Sequence, residues 1–302
     1  SLCFSNPKIY EFFNDVIATI APRINSDYIH VGGDETPQWV KHEDYQIFML
    51  KAKAIINKYK KKMIGWTDDL GSVKGLGSDV IGQHWATDAV CCETTLSVVA
   101  QGGKILMSPA NKTYLSLKYN EKSPFGGSFA GYNNTQNGYN WDPATIVPGV
   151  KEKDIIGIEA ALWGERIKSL ADAHYMIFPR LMSLSEVGWT PQKDRDWDEF
   201  KYRLGSHGPR LRELGVNYYR SPLVPWLALN TEASCGESAI VKLIQSDTLT
   251  NNYQVVIDEV HEFAKGNSCI RQYNIGDTVQ ITPENTAFID CLSESEFWVF
   301  FH

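Results

Sequence analysis

The feature that most constrains the fold is a pattern that occurs five times between residues 27 and 165. Each time, a short apolar run is followed by a polar or aromatic residue and then by a helical or loop segment. Short apolar runs bounded by turn residues indicate buried strands, and strands that alternate with crossover segments are typical of a parallel sheet. The sequence therefore predicts an α/β fold, either a barrel or an open doubly wound sheet. The predicted strands are DYIHVGG (27–33), KMIGW (62–66), DVIGQHW (79–85), KILMSP (104–109) and DIIGIEAALWGE (154–165).

The positions of the reactive residues favour the barrel. Barrel enzymes carry their active sites at the carboxyl ends of the strands, whereas an open sheet concentrates its site at one switch point. A full barrel has eight strand-helix units in about 250 residues, so five units predict a (β/α)8 barrel that is incomplete at its N-terminus, with roughly 90 or more residues upstream of Ser1. The reactive residues at or just past the predicted strand ends are Asp34, Glu35, Trp66, Trp85, Tyr114, Trp163 and Glu165.

Two domains are predicted. The barrel pattern stops near Arg220, so residues 1–222 are expected to form the fourth to eighth barrel strands with their helices. Residues 223–302 contain short β-prone runs separated by turn residues, which predicts a small β-rich domain without a recognisable catalytic constellation. Helices are expected at 6–20, 43–61, 169–189 and 197–215.

Composition excludes several classes of partner. The chain has 302 residues, of which 43% are hydrophobic, so it can bury a large core. A net charge of -7 argues against nucleic acid or an anionic membrane as a partner, because an acidic surface is repelled by both. The lysines of 51–62 are interpreted as the solvated face of a helix. No run approaches the roughly 20 apolar residues that a membrane span requires.

Two glycosylation sequons favour a secreted or lysosomal protein. They begin at Asn111 and Asn133, in sequence that resembles loops. The cysteines decide less, because Cys91 and Cys92 are adjacent and cannot easily pair with each other. One disulfide is expected within the C-terminal group of Cys235, Cys269 and Cys291.

The segment YIHVGGDETP (28–37) places two carboxylates next to each other after a strand. Strand alternation predicts that His30, Gly32 and Asp34 face one side, with Glu35 able to turn toward the same space. The glycines leave room for a ligand against the backbone. Two crowded carboxylates are expected to differ in protonation near neutral pH, and a protonated acid beside an ionised one is the equipment that cleaves a glycosidic bond.

Other interpretations of this segment stay open. Asp34 could cap a following helix, or His30, Asp34 and Glu35 could form a metal site, although no further His/Asp cluster supports one. Three strand-end tryptophans favour sugar binding, since indole faces stack on the apolar faces of sugar rings. Glu165 suits either hydrogen bonds to sugar hydroxyls or an ion pair with Arg166.

The motifs HVGGDE, GW, QHW, TYLS, ALWGE and YMIFPRLMSLSEVGWTP resemble the catalytic barrel of family 20 glycoside hydrolases, the β-N-acetylhexosaminidases. The resemblance runs from about residue 2 to 222. It implies exo-cleavage of terminal β-linked GlcNAc or GalNAc from glycans or glycoconjugates, without metal or cofactor. The 2-acetamido group of the substrate is the nucleophile in this family, which departs from the two-carboxylate scheme. The family often forms dimers, so a homodimer is a further expectation.

The resemblance also implies roles for individual residues. Glu35 is the general acid and base, and Asp34 orients the acetamido group and stabilises the oxazolinium intermediate. Tyr114 donates a hydrogen bond to the attacking amide carbonyl. His30 is a buried supporting residue. Around these, Trp66, Trp85 and Trp163 form the walls of the sugar pocket, and Glu165 binds the outer hydroxyls.

Two departures from the family pattern affect these expectations. The arginine that the family carries on its first barrel strand is absent here, which predicts that the chain is incomplete or inactive alone, or that an upstream chain supplies the missing strands. An acid that often follows the tyrosine by two residues is replaced by Ser116. Loss of this negative charge leads to the hypothesis that a 6-sulfated sugar is accepted more readily.

Two rival functions remain at this point. One is a carbohydrate-binding relative, or a truncated fragment, that has kept the pocket and lost turnover. The presence of Glu35 argues against it, because binding alone does not require a general acid. The other is a retaining glycosidase in which the protein supplies the nucleophile, for which Glu165 is the obvious candidate.

Overall fold

The computed structural model describes Phe4, residues 6–87 and 90–226, and five strands within 237–301. The chain divides into two compact units. The first unit consists of Ser1–Tyr114, Phe129–Gly131 and Trp141–Ala161, and the second of Leu115–Ser128, Tyr132–Asn140 and Leu162–His302.

The first unit is built on a five-stranded sheet in which every neighbouring pair is parallel. The strands follow each other in the sheet as they do in the chain, so the predicted parallel α/β arrangement is confirmed. The last strand is much shorter than the predicted 154–165, with a register shift beside its partner. The strands are β1 (Tyr28–His30), β2 (Lys62–Trp66), β3 (Val80–His84), β4 (Lys104–Met107) and β5 (Ile155–Ile158).

Helices and turns connect these strands. The α-helices are α1 (Lys8–Ile20), α2 (His42–Lys58), α3 (Thr67–Leu70), α4 (Val90–Ala100) and α5 (Ala110–Thr113). Just before α1, Asn6 Oδ1 accepts a hydrogen bond from Lys8 N–H at 3.0 Å. The lysine-rich α2 buries Met49, Ala52 and Ile56 and exposes Lys51 and Lys58, so the solvated-face interpretation is confirmed.

The centre of the sheet is close-packed. All five residues of β3 are buried. A Cβ on Gly82 would lie only 2.6 Å from Thr67 Cγ2 and 3.3 Å from Val98 Cγ2, so the glycine allows α3 and α4 to lie directly on the sheet. A buried polar chain runs through the same layer, from His84 Nδ1 to Thr95 Oγ1 at 2.9 Å and from there to Thr67 Oγ1 at 3.0 Å.

The two outer strands each have an unpaired side among the described residues. β1 pairs with β2 and β5 pairs with β4, and no other described strand joins them. Apolar residues on both outer strands are accessible to solvent, with 37% exposure at Tyr28 and 46% at Ile156. Open strand edges with accessible apolar side chains are unusual in a finished sheet.

The described residues of the second unit form four further α-helices: α6 (Leu170–Ile177), α7 (Arg180–Trp189), α8 (Trp197–Ser206) and α9 (Gly208–Glu213). The prediction of one helix over 169–189 is wrong, because Pro179 divides it. A residue before proline is disfavoured in the helical region, and Phe178 accordingly has an extended backbone at φ -101° and ψ 135°. The predicted helix 197–215 is likewise divided at His207, with a proline in the first turn of α9.

An antiparallel sheet follows in the same unit, with the strand order β8-β7-β6-β10-β9. All five predicted β-prone runs form strands. The boundary predicted between 222 and 223 stays a prediction, and the predicted C-terminal disulfide lies outside what the structure describes. The strands are β6 (Glu237–Asp247), β7 (Asn252–Glu262), β8 (Thr278–Ile281), β9 (Thr286–Cys291) and β10 (Glu296–Phe301).

The sequence predicted that both glycosylation sequons lie in loops. The structure does not show two accessible loop sites. Asn111 lies within α5 and is partly accessible. Asn133 is fully buried, as is Thr135 of the same sequon, and Asn133 Oδ1 accepts a hydrogen bond from Asn137 Nδ2 at 3.2 Å. A glycan cannot be attached at Asn133 in this folded state. Within the described part of the chain, no helix is both long and apolar enough to span a membrane.

Candidate active site

The acid pair lies in the loop that follows β1, and both carboxylates are exposed. Pairing with the neighbouring strand continues past the end of β1. Val31 N–H donates to Ile64 O at 2.9 Å, and Trp66 N–H donates to Gly32 O at 3.1 Å. The loop is therefore anchored to the carboxyl end of β2.

The backbone of this loop departs from the strand that the sequence predicted. Gly32 and Gly33 have φ values of +71° and +86°, so strand alternation ends at His30 and cannot align His30, Gly32 and Asp34 on one face. Asp34 instead folds back, with Oδ1 3.8 Å from the place that a Cβ on Gly32 would occupy. Asp34 does not cap the next helix either, because α2 begins only at His42.

Position 33 requires a glycine because its φ is positive and because neighbouring side chains leave no room for a Cβ. A Cβ at this position would lie 2.8 Å from Tyr45 Oη and 3.2 Å from Met49 Cε. The Tyr45 hydroxyl donates to Gly33 O at 2.7 Å and so fixes the turn. Burial raises the pKa of Tyr45, and the carboxylates of Asp69, Asp68 and Asp34 raise it further, which keeps this hydroxyl a donor.

Two carboxylates of α3 hold the backbone of the acid pair. Asp68 Oδ2 accepts from Glu35 N–H at 3.1 Å, and Asp69 Oδ2 accepts from Thr36 N–H at 2.8 Å. Glu35 has φ +48°, a left-handed conformation that is uncommon outside glycine and occurs often at functional sites. Sequence reasoning missed both aspartates, although an acid pair directly after strand β2 was visible in GWTDDL.

Asp68, which accepts the hydrogen bond from Glu35 N–H, is partly buried. Burial raises the pKa of Asp68, while the hydrogen bond from Glu35 N–H and the nearby Trp85 indole lower it in part. The indole Nε1 of Trp85 is itself buried. Trp85 therefore lies beside the residue that holds Glu35, which brings the second predicted tryptophan to the acid pair.

His30 is connected to the acid pair through its ring. Nδ1 accepts from Gly32 N–H at 2.9 Å, and the ring lies against the Trp66 indole with centroids 5.2 Å apart. Desolvation lowers the pKa of His30, and the charges of Glu159 and Asp34 raise it in part. The expected hydrogen bond of His30 is present, but the expectation that His30 is fully buried is wrong, because the ring is covered by Trp66 on one side while the residue lies on an outer strand and stays accessible.

A further polar network lies beside His30, on residues that the sequence did not indicate. Gln83 is fully buried, and its Nε2 donates to Ser108 Oγ and to Glu159 Oε1, both at 2.8 Å. Ser108 Oγ in turn donates to Glu159 O at 3.0 Å. These bonds join the carboxyl ends of β3, β4 and β5.

Tyr114 follows α5, beyond the carboxyl end of β4, and is 5% exposed. Its N–H donates to Ala110 O at 3.2 Å, and its ring lies 6.2 Å from that of Phe129, which is 70% exposed. The structure thus places His30, Asp34, Glu35, Trp66, Trp85 and Tyr114 at the carboxyl ends of successive parallel strands, where barrel enzymes carry their active sites.

The remaining predicted residues belong to the second unit. Ser116 is partly buried, and its carbonyl accepts from Gly127 N–H at 2.8 Å. Trp163 is 39% exposed and precedes a short 3₁₀ helix, Gly164–Arg166, in which Glu165 is exposed. No ion pair joins Glu165 to another described residue, so the alternative of a pairing with Arg166 is not supported.

Metal binding finds no support within the described ranges, where no three His, Cys, Asp or Glu side chains cluster as ligands. His30, Asp34 and Glu35 therefore do not form a metal-binding cluster.

Comparison with known proteins identifies the family. Residues 1–192 match the catalytic domain of glycosyl hydrolase family 20. The chain belongs to glycosyl hydrolase family 20. All nine residues singled out from the sequence lie within the matched range, which extends from the first unit into the second.

Individual relatives agree with this assignment. A Cellulomonas fimi protein named beta-N-acetylhexosaminidase is 33% identical over 220 residues, which is 73% of this chain and 44% of that protein. The family 20 beta-N-acetylhexosaminidase of Streptomyces coelicolor A3(2) has 34% identity and a TM-score of 0.71, covering 75% of this chain and 46% of that structure. The Streptomyces plicatus N-acetyl-beta-hexosaminidase, solved with Thio-NAglucal, has 36% identity, a TM-score of 0.71 and coverages of 75% and 45%. The chain spans less than half the length of these relatives.

The turn before the acid pair generates a prediction with a matched control. Gly33→Ala and Gly75→Ala both place a side chain on a glycine of similar φ, +86° and +82°, but nothing lies within 4 Å of a Cβ at Gly75. Gly75→Ala should lower the free energy of unfolding by about 1–2 kcal/mol, the cost of a left-handed conformation. Gly33→Ala should lower it by about 1–3 kcal/mol more, because the methyl group collides with Tyr45. Urea denaturation measures both, and equal losses would contradict the packing described here.

Proposed function

We propose that this chain is the catalytic part of an exo-acting β-N-acetylhexosaminidase that removes terminal β-linked GlcNAc or GalNAc. The observation that carries the proposal is the adjacent pair Asp34 and Glu35, held at a strand end by Asp68 and Asp69 within a family 20 catalytic domain. Relatives in Cellulomonas fimi and Streptomyces coelicolor bear the name beta-N-acetylhexosaminidase, which supports the same reaction.

In this proposal Glu35 is the general acid and base. It donates a proton to the glycosidic oxygen as the bond breaks, and later takes a proton from the attacking water. The fixed backbone of Glu35 supports this role, because a proton is transferred efficiently only when donor and acceptor are already in place. The hydrogen bond from Glu35 N–H to Asp68 supplies that restraint.

Asp34 and Tyr114 are assigned to the acetamido group. The amide oxygen attacks C1 from within the substrate, and the resulting oxazolinium ring carries a positive charge on its nitrogen side. Asp34 stabilises this charge, while Tyr114 donates a hydrogen bond to the attacking oxygen. One acid thus acts on the scissile oxygen and its neighbour acts on the amide, which requires the two carboxylates to be adjacent in space.

The aromatic residues and Glu165 are assigned to sugar binding. Trp66, Trp85 and Trp163 provide apolar surfaces for the ring and for the acetamido methyl group. Glu165 is exposed and lacks an ion-pair partner among the described side chains, so its carboxylate can accept hydrogen bonds from sugar hydroxyls. His30 accepts from Gly32 N–H and serves as a support for the turn, not as a proton carrier.

The proposal includes completion of the barrel by additional strand-helix units beside β1 and β5. The exposed apolar residues Tyr28 and Ile156 on these outer strands support it, since a closed barrel would cover them. Homodimer formation and the domain boundary at 222/223 stay predictions. A secreted or lysosomal location rests on the sequon at Asn111 alone.

The central prediction concerns Glu35→Gln. The variant should lower kcat by about 10²- to 10⁴-fold on a substrate with a poor leaving group, because the leaving oxygen is no longer protonated. The loss should be much smaller with 2,4-dinitrophenyl β-GlcNAc, whose leaving group needs little protonation. Glu43→Gln, which removes an exposed carboxylate on α2, is the matched control and should leave both rates unchanged.

Two results of this experiment would favour the rivals. If the full-length protein binds GlcNAc and its rate equals that of Glu35→Gln, the chain belongs to a carbohydrate-binding relative without turnover. If mass spectrometry during turnover detects a sugar bound covalently to Glu165, the protein supplies the nucleophile and the substrate-assisted scheme is wrong.

Ser116 is proposed to permit a sulfate at C6. An acid at this position would repel the sulfate, whereas a hydroxyl can donate a hydrogen bond to a sulfate oxygen. Ser116→Asp should therefore lower kcat/KM for a 6-sulfated GlcNAc substrate more than for the unsulfated one. Steady-state kinetics on the two substrates measures the ratio, and an unchanged ratio rejects the proposal.

Barrel completion also has a direct test. Residues 1–302 alone should hydrolyse 4-nitrophenyl β-GlcNAc at no more than the background rate, because the open edges admit water and lack part of the sugar site. A longer protein that includes the adjoining strand-helix units should be active. Equal kcat/KM for the two proteins would show that the described sheet is sufficient.

A further inference from the structure

Arg180 is a fully buried cation without an acidic partner. Its side chain is 0% exposed, and no carboxylate among the described residues forms an ion pair with it. An unpaired buried charge is strongly unfavourable unless hydrogen bonds replace its hydration. The surroundings of Arg180 provide such bonds, and their distribution along the chain indicates a function.

The two Nη atoms of the guanidinium make four hydrogen bonds to backbone carbonyls. Nη1 donates to Leu117 O at 2.7 Å and to Asn133 O at 2.9 Å, and Nη2 donates to Leu115 O at 2.5 Å and to Met176 O at 2.7 Å. One residue thus joins three separate segments of the second unit. The planar fork of an arginine suits this task, since it presents several donors in a fixed geometry.

The carbonyls of the segment after Tyr114 show why an arginine is needed there. Ser116 O accepts from Gly127 N–H at 2.8 Å, and Lys118 O accepts from Asn133 N–H at 2.9 Å. Leu115 O and Leu117 O, which alternate with them, accept from Arg180. Arg180 therefore bonds the carbonyls that alternate with those bonded by Gly127 and Asn133, so every carbonyl from 115 to 118 is bonded.

Aromatic packing holds the guanidinium itself in place. Its Cζ lies 3.9 Å from the centroid of the Tyr119 ring, which is a cation–π contact. Tyr119 stacks on Tyr219 at 4.0 Å, and its hydroxyl lies 2.9 Å from Phe178 O. Leu115 and Leu117 are buried at 3% and 0% exposure, so the segment has little freedom to move while these contacts persist.

We infer that Arg180 is a positioning residue that sets the placement of Tyr114 and Ser116, because it fixes the carbonyl directly after each of them in the chain. The inference rests on the proposed function, in which Tyr114 bonds the attacking amide oxygen. A displacement of about 1 Å in a positioned group can lower a rate by about 10²-fold, so an arginine remote from the chemistry can control it.

The test is a double-mutant cycle in the full-length protein with 4-nitrophenyl β-GlcNAc as substrate. Arg180→Lys keeps the charge and loses the fork, and should lower kcat at least about tenfold with a smaller change in KM. On a Tyr114→Phe background, Arg180→Lys should lower kcat by less than about twofold, because the Tyr114 hydroxyl that it would displace is absent. A merely structural role would give the same factor on both backgrounds, which would overturn the inference.

Arg195→Lys is the matched control. Arg195 also donates to a carbonyl, Tyr139 O at 3.1 Å, and lies 5.8 Å from the Tyr139 ring, outside the segment 115–118. It should leave kcat within about twofold of the wild type. A tenfold loss here, equal to that of Arg180→Lys, would contradict a specific role for Arg180.

Two further outcomes are separable. If Arg180→Lys does not fold, Tyr119→Phe replaces it in the cycle, and the same criterion applies. This substitution keeps the ring under the guanidinium and removes the hydroxyl, which lies 2.9–3.2 Å from Tyr175 O, Met176 O and Phe178 O. If the wild type does not hydrolyse the substrate, the proposed function fails and this inference fails with it. If the wild type is active and the two substitutions are independent, only the inference about Arg180 fails.

Discussion

The structure depends on how the loop after β1 is held in a conformation that its own backbone does not favour. Three of its residues, Gly32, Gly33 and Glu35, have positive φ. The loop is stable because other elements supply its hydrogen-bond partners: Trp66 N–H, the Tyr45 hydroxyl, and the carboxylates of Asp68 and Asp69. Backbone strain of this kind persists only where the surroundings over-determine it, and it occurs often at functional sites.

The same physical device is used again in the segment after Tyr114. There the buried guanidinium of Arg180 bonds alternate carbonyls, just as the aspartates bond successive amides beside Glu35. Loops at strand ends cannot satisfy their polar groups within a sheet, and leaving them unbonded would be costly. Side chains from neighbouring elements therefore replace the missing strand, and each replacement also fixes a residue that we assign to the reaction.

The sequence predicted the parts of this arrangement that depend on local pattern. Apolar runs predicted five parallel strands in the order that the sheet has, although β1 and β5 are shorter than predicted. The residues singled out after these runs were assigned roles from their positions and from family motifs. It could not predict the long-range contacts: Asp68 and Asp69 bond residues 33 positions away, and Arg180 bonds carbonyls 63 and 65 positions away. Alternation failed where glycines adopt positive φ, helix 169–189 failed at Pro179, and the burial of Asn133 was invisible because it arises from packing across distant segments.

The account stands on neighbouring acids that act on different atoms of one N-acetylated sugar. A crystal structure of the full-length protein with a thiazoline mimic of the cyclised acetamido group tests this most directly. The account predicts that a carboxylate oxygen of Asp34 lies within about 2.6–3.2 Å of the thiazoline nitrogen and that the Tyr114 hydroxyl is directed at the thiazoline sulfur, with Glu35 on the side of the departed oxygen. A mimic bound with Asp34 directed away from its ring, or bound outside the cleft at the strand ends, would contradict it.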